Sequence, residues 1–180
     1  MRKIKIPLLI SLKLISKNLL ISTERFRTFK MCDKPYTSSD KMTASVVSGL
    51  VFLVTSSPST YAITNNITSR IGMNIMDSQG KPNLAGLLIH SLFYVAIIRI
   101  MMNRTNNECV KPYTSKDKWI VALIGGLLFL MISSPFLYDT VNAFTSSFGL
   151  NTTAPDGSPN LTGLSLHTLI FTSITRILMR

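Results

Sequence analysis

Apolar residues along the chain gather into four blocks separated by polar stretches. The first is Met42–Ser57 (MTASVVSGLVFLVTSS), which continues past Pro58, and the third is Trp119–Ser134 (WIVALIGGLLFLMISS), which continues past Pro135. The second, Leu84–Met102 (LAGLLIHSLFYVAIIRIMM), and the fourth, Leu161–Met179 (LTGLSLHTLIFTSITRILM), have no internal proline. A helix crosses the hydrocarbon core with about 20 residues, so the second and fourth blocks nearly suffice alone. The other two reach that length only if the helix runs on through the proline. Membrane helices tolerate this when neighbouring groups take up the freed carbonyl. The predicted spans are therefore 42–64, 84–102, 119–141 and 161–179. Pro58 and Pro135 are predicted helix kinks, with the chain beyond each one bending at the membrane surface.

Start and stop signals frame these blocks. Thr37-Ser-Ser-Asp40 and Thr114-Ser-Lys-Asp117 fit the capping box, in which the hydroxyl and carboxylate satisfy the first free N–H groups of a helix. Asn83 and Asn160 stand as N-caps of the second and fourth blocks. Gly72 and Gly149 fall where the first and third helices should stop, glycine supplying a left-handed turn.

The signals recur because the sequence repeats. At an offset of 77 residues, without a gap, CDKPYTS from Cys32 aligns with CVKPYTS from Cys109, SSPSTY from Ser56 with SSPFLY from Ser133, and GKPNLAG from Gly80 with GSPNLTG from Gly157. His90 pairs with His167 and Arg99 with Arg176, and in all 33 of 72 aligned positions are identical. The organisation predicted is a basic N-terminal arm (1–31), repeat 1 (32–103), a short linker (104–108) and repeat 2 (109–180). The fold class expected is an all-α integral membrane protein, four transmembrane helices as two parallel tandem-repeat helical hairpins.

Composition sharpens this. Of 180 residues 46% are apolar and only 15% charged, too few charges to cover a soluble domain, yet the net charge is +11. Position separates the remaining readings. Eight basic residues against Glu24 alone lie within residues 1–31, and interleaved basic and aromatic residues on a folded face are missing, so no nucleic-acid partner is expected. The inter-span loops hold only Arg70 and Lys81, while 17 of the 19 basic residues lie in the arm, the linker and the adjoining helix ends. The basic side faces the cytosol. Both termini are therefore predicted cytosolic and the Asn/Ser/Thr-rich loops lumenal or external. The arm itself reads as a segment lying on an anionic leaflet, a targeting peptide or a dispensable extension.

Candidate chemistry is sparse. His90 and His167 lie within predicted spans, where an ionisable side chain serves either proton or ligand traffic or a hydrogen bond between helices. No acid shares their helices, which favours packing. Arg99 and Arg176, one turn from the cytosolic end, are expected to snorkel to headgroups. Ser45-x-x-x-Gly49 and Ala122-x-x-x-Gly126 are small-residue patterns suited to close helix contact, between repeats or between protomers. Asn66 and Asn151 stand in glycosylation sequons on the predicted lumenal side, and Cys32 and Cys109 read as reduced cytosolic thiols. No nucleophile elbow, phosphate loop, metal motif or carboxylate pair occurs, so neither an enzyme nor a cofactor is expected.

The combination KPYTSKDKW, GGLLFLMISSPFLY, GLNT, SPNLTGLSLHTLIF and RILM resembles a family of short two-span membrane proteins encoded by large nucleocytoplasmic DNA viruses, the giant viruses among them, here as a tandem duplication over residues 32–180. The first copy departs from it at Met42 and Ser59, where the second has Trp119 and Phe136. The resemblance implies a viral integral membrane protein, of the internal virion membrane or the host membranes that supply it. It carries no catalytic residue. The expected role is structural, with the lipid bilayer, self-association and other membrane or virion proteins as partners. The alternatives are a small transporter or channel using the paired histidines, and a membrane-remodelling factor driven by the arm.

Overall fold

A computed structural model describes residues 37–78, 80–104, 114–155 and 157–179, and the helices below all belong to one unit of the chain. The basic arm, Cys32, Cys109 and linker residues 105–108 lie outside the described residues. Six α-helices follow in order: α1 (Ser38–Thr55), α2 (Pro58–Thr68) extended by a 3-10 turn (Ser69–Ile71), α3 (Leu84–Arg104), α4 (Ser115–Ile132), α5 (Pro135–Ser146) and α6 (Leu161–Leu178). Among the described residues there is no strand, only the isolated bridges Met76–Pro82 and Thr153–Pro159.

The start signals act as read. Thr37 and Thr114 each form a complete capping box with Asp40 and Asp117. The Asn83 and Asn160 side chains accept the backbone N–H of Gly86 and Gly163 at 2.9 and 2.8 Å. Gly72 and Gly149 adopt left-handed φ values of 80° and 79°.

The prolines act differently. Neither kinks a continuous helix: α1 ends at Thr55 and α4 at Ile132, and each proline is the first residue of a new helix with its own serine N-cap, Ser57 or Ser134. The helix pairs bend by 52° and 56° across these breaks. Proline's missing N–H costs nothing in the first turn of a helix, and a serine beside it makes a new start cheaper than a strained continuation.

Two helices, over Leu84–Asn103 and Leu161–Leu178, are long and apolar enough to cross a membrane, and each bent pair passes the same test when taken as one span. The surface agrees with that length. Leu50, Val54, Leu88, Leu92, Leu123, Leu127, Met131 and Leu169 are exposed, whereas Ser45, Ser48, Ser56, Ser91 and both histidines are buried. A water-soluble helical protein has the opposite arrangement.

Helix partners come from opposite halves of the chain. The most extensive pairings are α3 with α4 and α1 with α6; those within each expected hairpin, α1 with α3 and α4 with α6, are slighter. Glycine explains the preference. Gly49 on α1 lies against Thr172 on α6, and Gly126 on α4 against Val95 and Ser91 on α3, so closely that a β-carbon would collide in both places. Ser45 and Ala122, one turn before them, are fully buried, and the Ser91 hydroxyl donates to the Gly126 carbonyl at 3.0 Å. Both small-residue patterns thus join the two halves of the chain. At the centre Phe52, Phe129, Tyr94 and Phe171 form a four-ring cluster, with Phe52 stacked on Phe171 at 4.5 Å between centroids.

Candidate functional site

Ending a helix leaves carbonyls without partners, and each break in this chain sits inside a helix pair of span length. In the first half, Ser56 N–H and its hydroxyl donate to the Phe52 carbonyl at 2.8 and 2.7 Å. The Thr60 hydroxyl donates to the Val54 carbonyl at 2.6 Å. The Thr55 carbonyl is taken by His90 Nδ1 at 2.7 Å, reaching across from α3. In the second half Leu137 replaces Thr60, and Ser134 substitutes for it by donating its hydroxyl to the Met131 carbonyl at 2.8 Å. The Ile132 carbonyl is taken by His167 Nδ1 at 2.9 Å.

A carbonyl only accepts, so Nδ1 carries the proton in both rings. The neutral imidazole then keeps a lone pair on Nε2, and that atom has no hydrogen-bond partner in either residue. Each ring is covered by a tyrosine from the helix beyond the break: Tyr61 stacks on His90 and Tyr138 on His167, both at 3.7 Å between centroids. Each histidine therefore fixes the end of one helix by hydrogen bonding and the start of the next by stacking.

Beyond the tyrosines is a small cavity of about 20 Å³. Pro58 and Pro135, Tyr61 and Tyr138, and Ser133 line it, with Lys81 from the first inter-helix loop. The Tyr61, Tyr138 and Ser133 hydroxyls are buried without hydrogen-bond partners, on residues only 3%, 4% and 2% exposed. The histidines are not in the lining. Lys81 Nζ lies 3.4 Å from Asp139 on α5, and its chain rests on Gly157.

The other expected site residues fall elsewhere. Arg99 has partners within the chain: it donates to Asn103 and, at 3.1 Å, to the Ser115 hydroxyl, and sits 5.4 Å from the centre of the Trp119 ring. Arg176 donates to the Ser38 hydroxyl at 2.9 Å. Each arginine thus ties the end of its helix to the start of the partner helix, because the α3–α4 and α6–α1 pairing puts a serine in reach. Asn66 is exposed on α2 and Asn151 is exposed in the second loop. Asn160, which also begins an Asn-x-Thr triplet, is occupied as a helix cap. Among the described residues no group of three or more His, Cys, Asp or Glu side chains could hold a metal.

Tyr61, Tyr138, Ser133 and Lys81 carry no assignment from sequence alone. The available signal was the repeated SSP-x-x-Y, which sets a tyrosine three residues after each proline. No protein-family model matches the chain, and no curated protein or solved structure matches it.

Proposed function

We propose that the chain is a structural multi-pass membrane protein, with four spans built as two copies of one broken-helix hairpin and both termini on the cytosolic side. Its role is to hold a fixed helical scaffold in the bilayer and present a basic cytosolic face to headgroups or to another protein layer. The membrane would be a viral internal membrane or a host membrane used in its assembly, as the sequence resemblance implies.

The observation that carries this reading is the use made of the histidines. Intramembrane ionisable groups suggest transport, but His90 and His167 are committed to backbone carbonyls and capped by aromatic rings. Fixed hydrogen bonds to helix ends are what a static scaffold requires. The one-sided distribution of Lys and Arg along the sequence supports the orientation.

A second reading, a small transporter or channel, draws on the unpartnered Nε2 atoms of the same residues. Proteoliposomes separate the two. The scaffold reading predicts that the wild-type chain gives no pH-dependent conductance, and that His90→Leu with His167→Leu changes stability alone. A pH-dependent conductance in the wild type that the double variant loses, while remaining folded, overturns it.

A further inference from the structure

Where the end of α3 meets the start of α4, two cations share one neutral acceptor. Arg99 from α3 and Lys118 from α4 both donate to Asn103 Oδ1, the Lys118 ammonium at 3.4 Å. The other Arg99 bond goes to the Ser115 hydroxyl, which is also uncharged. Asp117 spends its carboxylate on the capping box, accepting the Thr114 backbone N–H and hydroxyl. Arg99, Lys116 and Lys118 against Asp117 leave this corner with positive charge in excess. Like charges drawn to one neutral oxygen repel each other, and an anion that both can contact relieves the repulsion.

Trp119 places the corner relative to the bilayer. Its ring is 48% exposed and lies 5.4 Å from the Arg99 guanidinium, and tryptophan favours the headgroup level. Toward the bundle middle, Ile97 on α3 and Ile120, Leu123 and Leu127 on α4 are exposed. The corner thus combines cations at headgroup depth with an apolar seam at acyl-chain depth. Basic pockets between spans hold anionic headgroups by this combination. The other half repeats the frame, for Arg176 donates to the Ser38 hydroxyl at 2.9 Å and Lys41 stands at the position of Lys118. It has Met42 and Ser39 in place of Trp119 and Lys116, so the α3–α4 corner is the stronger of the two.

We propose that this corner binds the headgroup phosphate of an anionic phospholipid, with Arg99 and Lys118 on the phosphate oxygens and Trp119 and the exposed seam against the acyl chains. The site rests on the scaffold reading, and it gives the basic face a defined ligand in place of diffuse attraction.

Trp119 is the only tryptophan in the chain, so its fluorescence reports on this corner alone. The test reconstitutes the full chain in vesicles of phosphatidylglycerol and phosphatidylcholine, with one lipid or the other brominated high on an acyl chain to quench a neighbouring tryptophan. Brominated phosphatidylglycerol is expected to quench more, as an about fivefold preference. Lys118→Gln lowers the preference to about twofold and Arg99→Gln/Lys118→Gln abolishes it, whereas Arg99→Lys/Lys118→Arg retains it. Lys41→Gln, which removes the same charge from the other corner, leaves it unchanged. The preference also survives replacement of sodium chloride by sodium phosphate at equal ionic strength. Its loss in phosphate would assign the corner to free phosphate and overturn the lipid site. An equal drop in Lys41→Gln would reduce the effect to diffuse surface charge and overturn it too. Equal quenching by the two brominated lipids overturns the site and leaves the scaffold standing. Quenching by neither overturns both, since Trp119 would then lie away from the bilayer.

Discussion

A proline that starts a new helix inside a membrane leaves the last carbonyls of the preceding helix facing hydrocarbon, where each unsatisfied group costs several kcal/mol. This chain answers with side chains, and the answer differs in detail between its halves. Thr60 serves Val54 in the first, and Ser134 serves Met131 in the second. The histidine is common to both because its target is a backbone atom, so Thr55 and Ile132 can differ freely. Asparagine provides the discriminating substitution: its amide nitrogen falls close to where Nδ1 sits in histidine. His90→Leu should cost about 1–3 kcal/mol through the unpaired Thr55 carbonyl. His90→Asn should recover about 1 kcal/mol of that, and the comparison is made by reversible unfolding in micelles. If Asn and Leu are equally damaging, the hydrogen bond is not what the histidine contributes. The presence of a histidine within two of the predicted spans was legible in the sequence, but its partner was not. A main-chain carbonyl at a helix break has no residue signature, and it becomes a target only once the break is known. The tyrosines were hidden for a related reason, since ring stacking across a break needs the bend angle.

Helix ends and breaks were written locally and helix partners were not. Capping boxes, the asparagine caps and the two left-handed glycines all involve residues within four positions of each other, so the sequence states them directly. The break at proline was half legible: Ser-Ser-Pro reads equally well as a kink or as cap plus first turn, and the serine caps decide it. Which helices pair depends on facing surfaces, where glycine is informative only when the opposing atom is known. Four helix glycines lie too close to such an atom to admit a β-carbon. Gly49 and Gly126 meet the side chains of Thr172 and Val95, whereas Gly86 and Gly163 meet the backbone carbonyls of Ile75 and Thr152. A side chain can shift where a folded loop cannot. Gly86→Ala should therefore destabilise more than Gly49→Ala, by about 1–3 kcal/mol against less than 1 kcal/mol. A thermal-melt ranking in one detergent checks this, and the reverse order would show that the loop over α3 yields more readily than the helix contact.

At the scale of the molecule, the two halves depart from each other in pairs. Tyr94 bonds to Ser48 through their hydroxyls at 2.5 Å, and at the matching positions Phe171 and Gly125 both lack one. Lys81 and Asp139 meet across the halves, and their counterparts, Ser158 and Ala62, are both uncharged. Paired changes of this kind keep polar groups matched, between helices at Tyr94 and Ser48 and between a loop and a helix at Lys81 and Asp139. The pairing of α1 with α6 and of α3 with α4 makes each half incomplete without the other, so the scaffold depends on both halves sharing one orientation. The chain's native cysteines, Cys32 and Cys109, report that orientation directly. If each bent pair crosses the membrane, both stand on the cytosolic side. If a bent pair turns back, α3 is the only crossing between them and they stand on opposite sides. In sealed vesicles whose cytosolic face is inside, a membrane-impermeant maleimide should label neither cysteine until the membrane is permeabilised. In a Cys32→Ser/Cys109→Ser background it should label Ser78→Cys and Ser147→Cys without permeabilisation. Labelling of Cys32 and Cys109 from opposite sides would contradict the four-span scaffold.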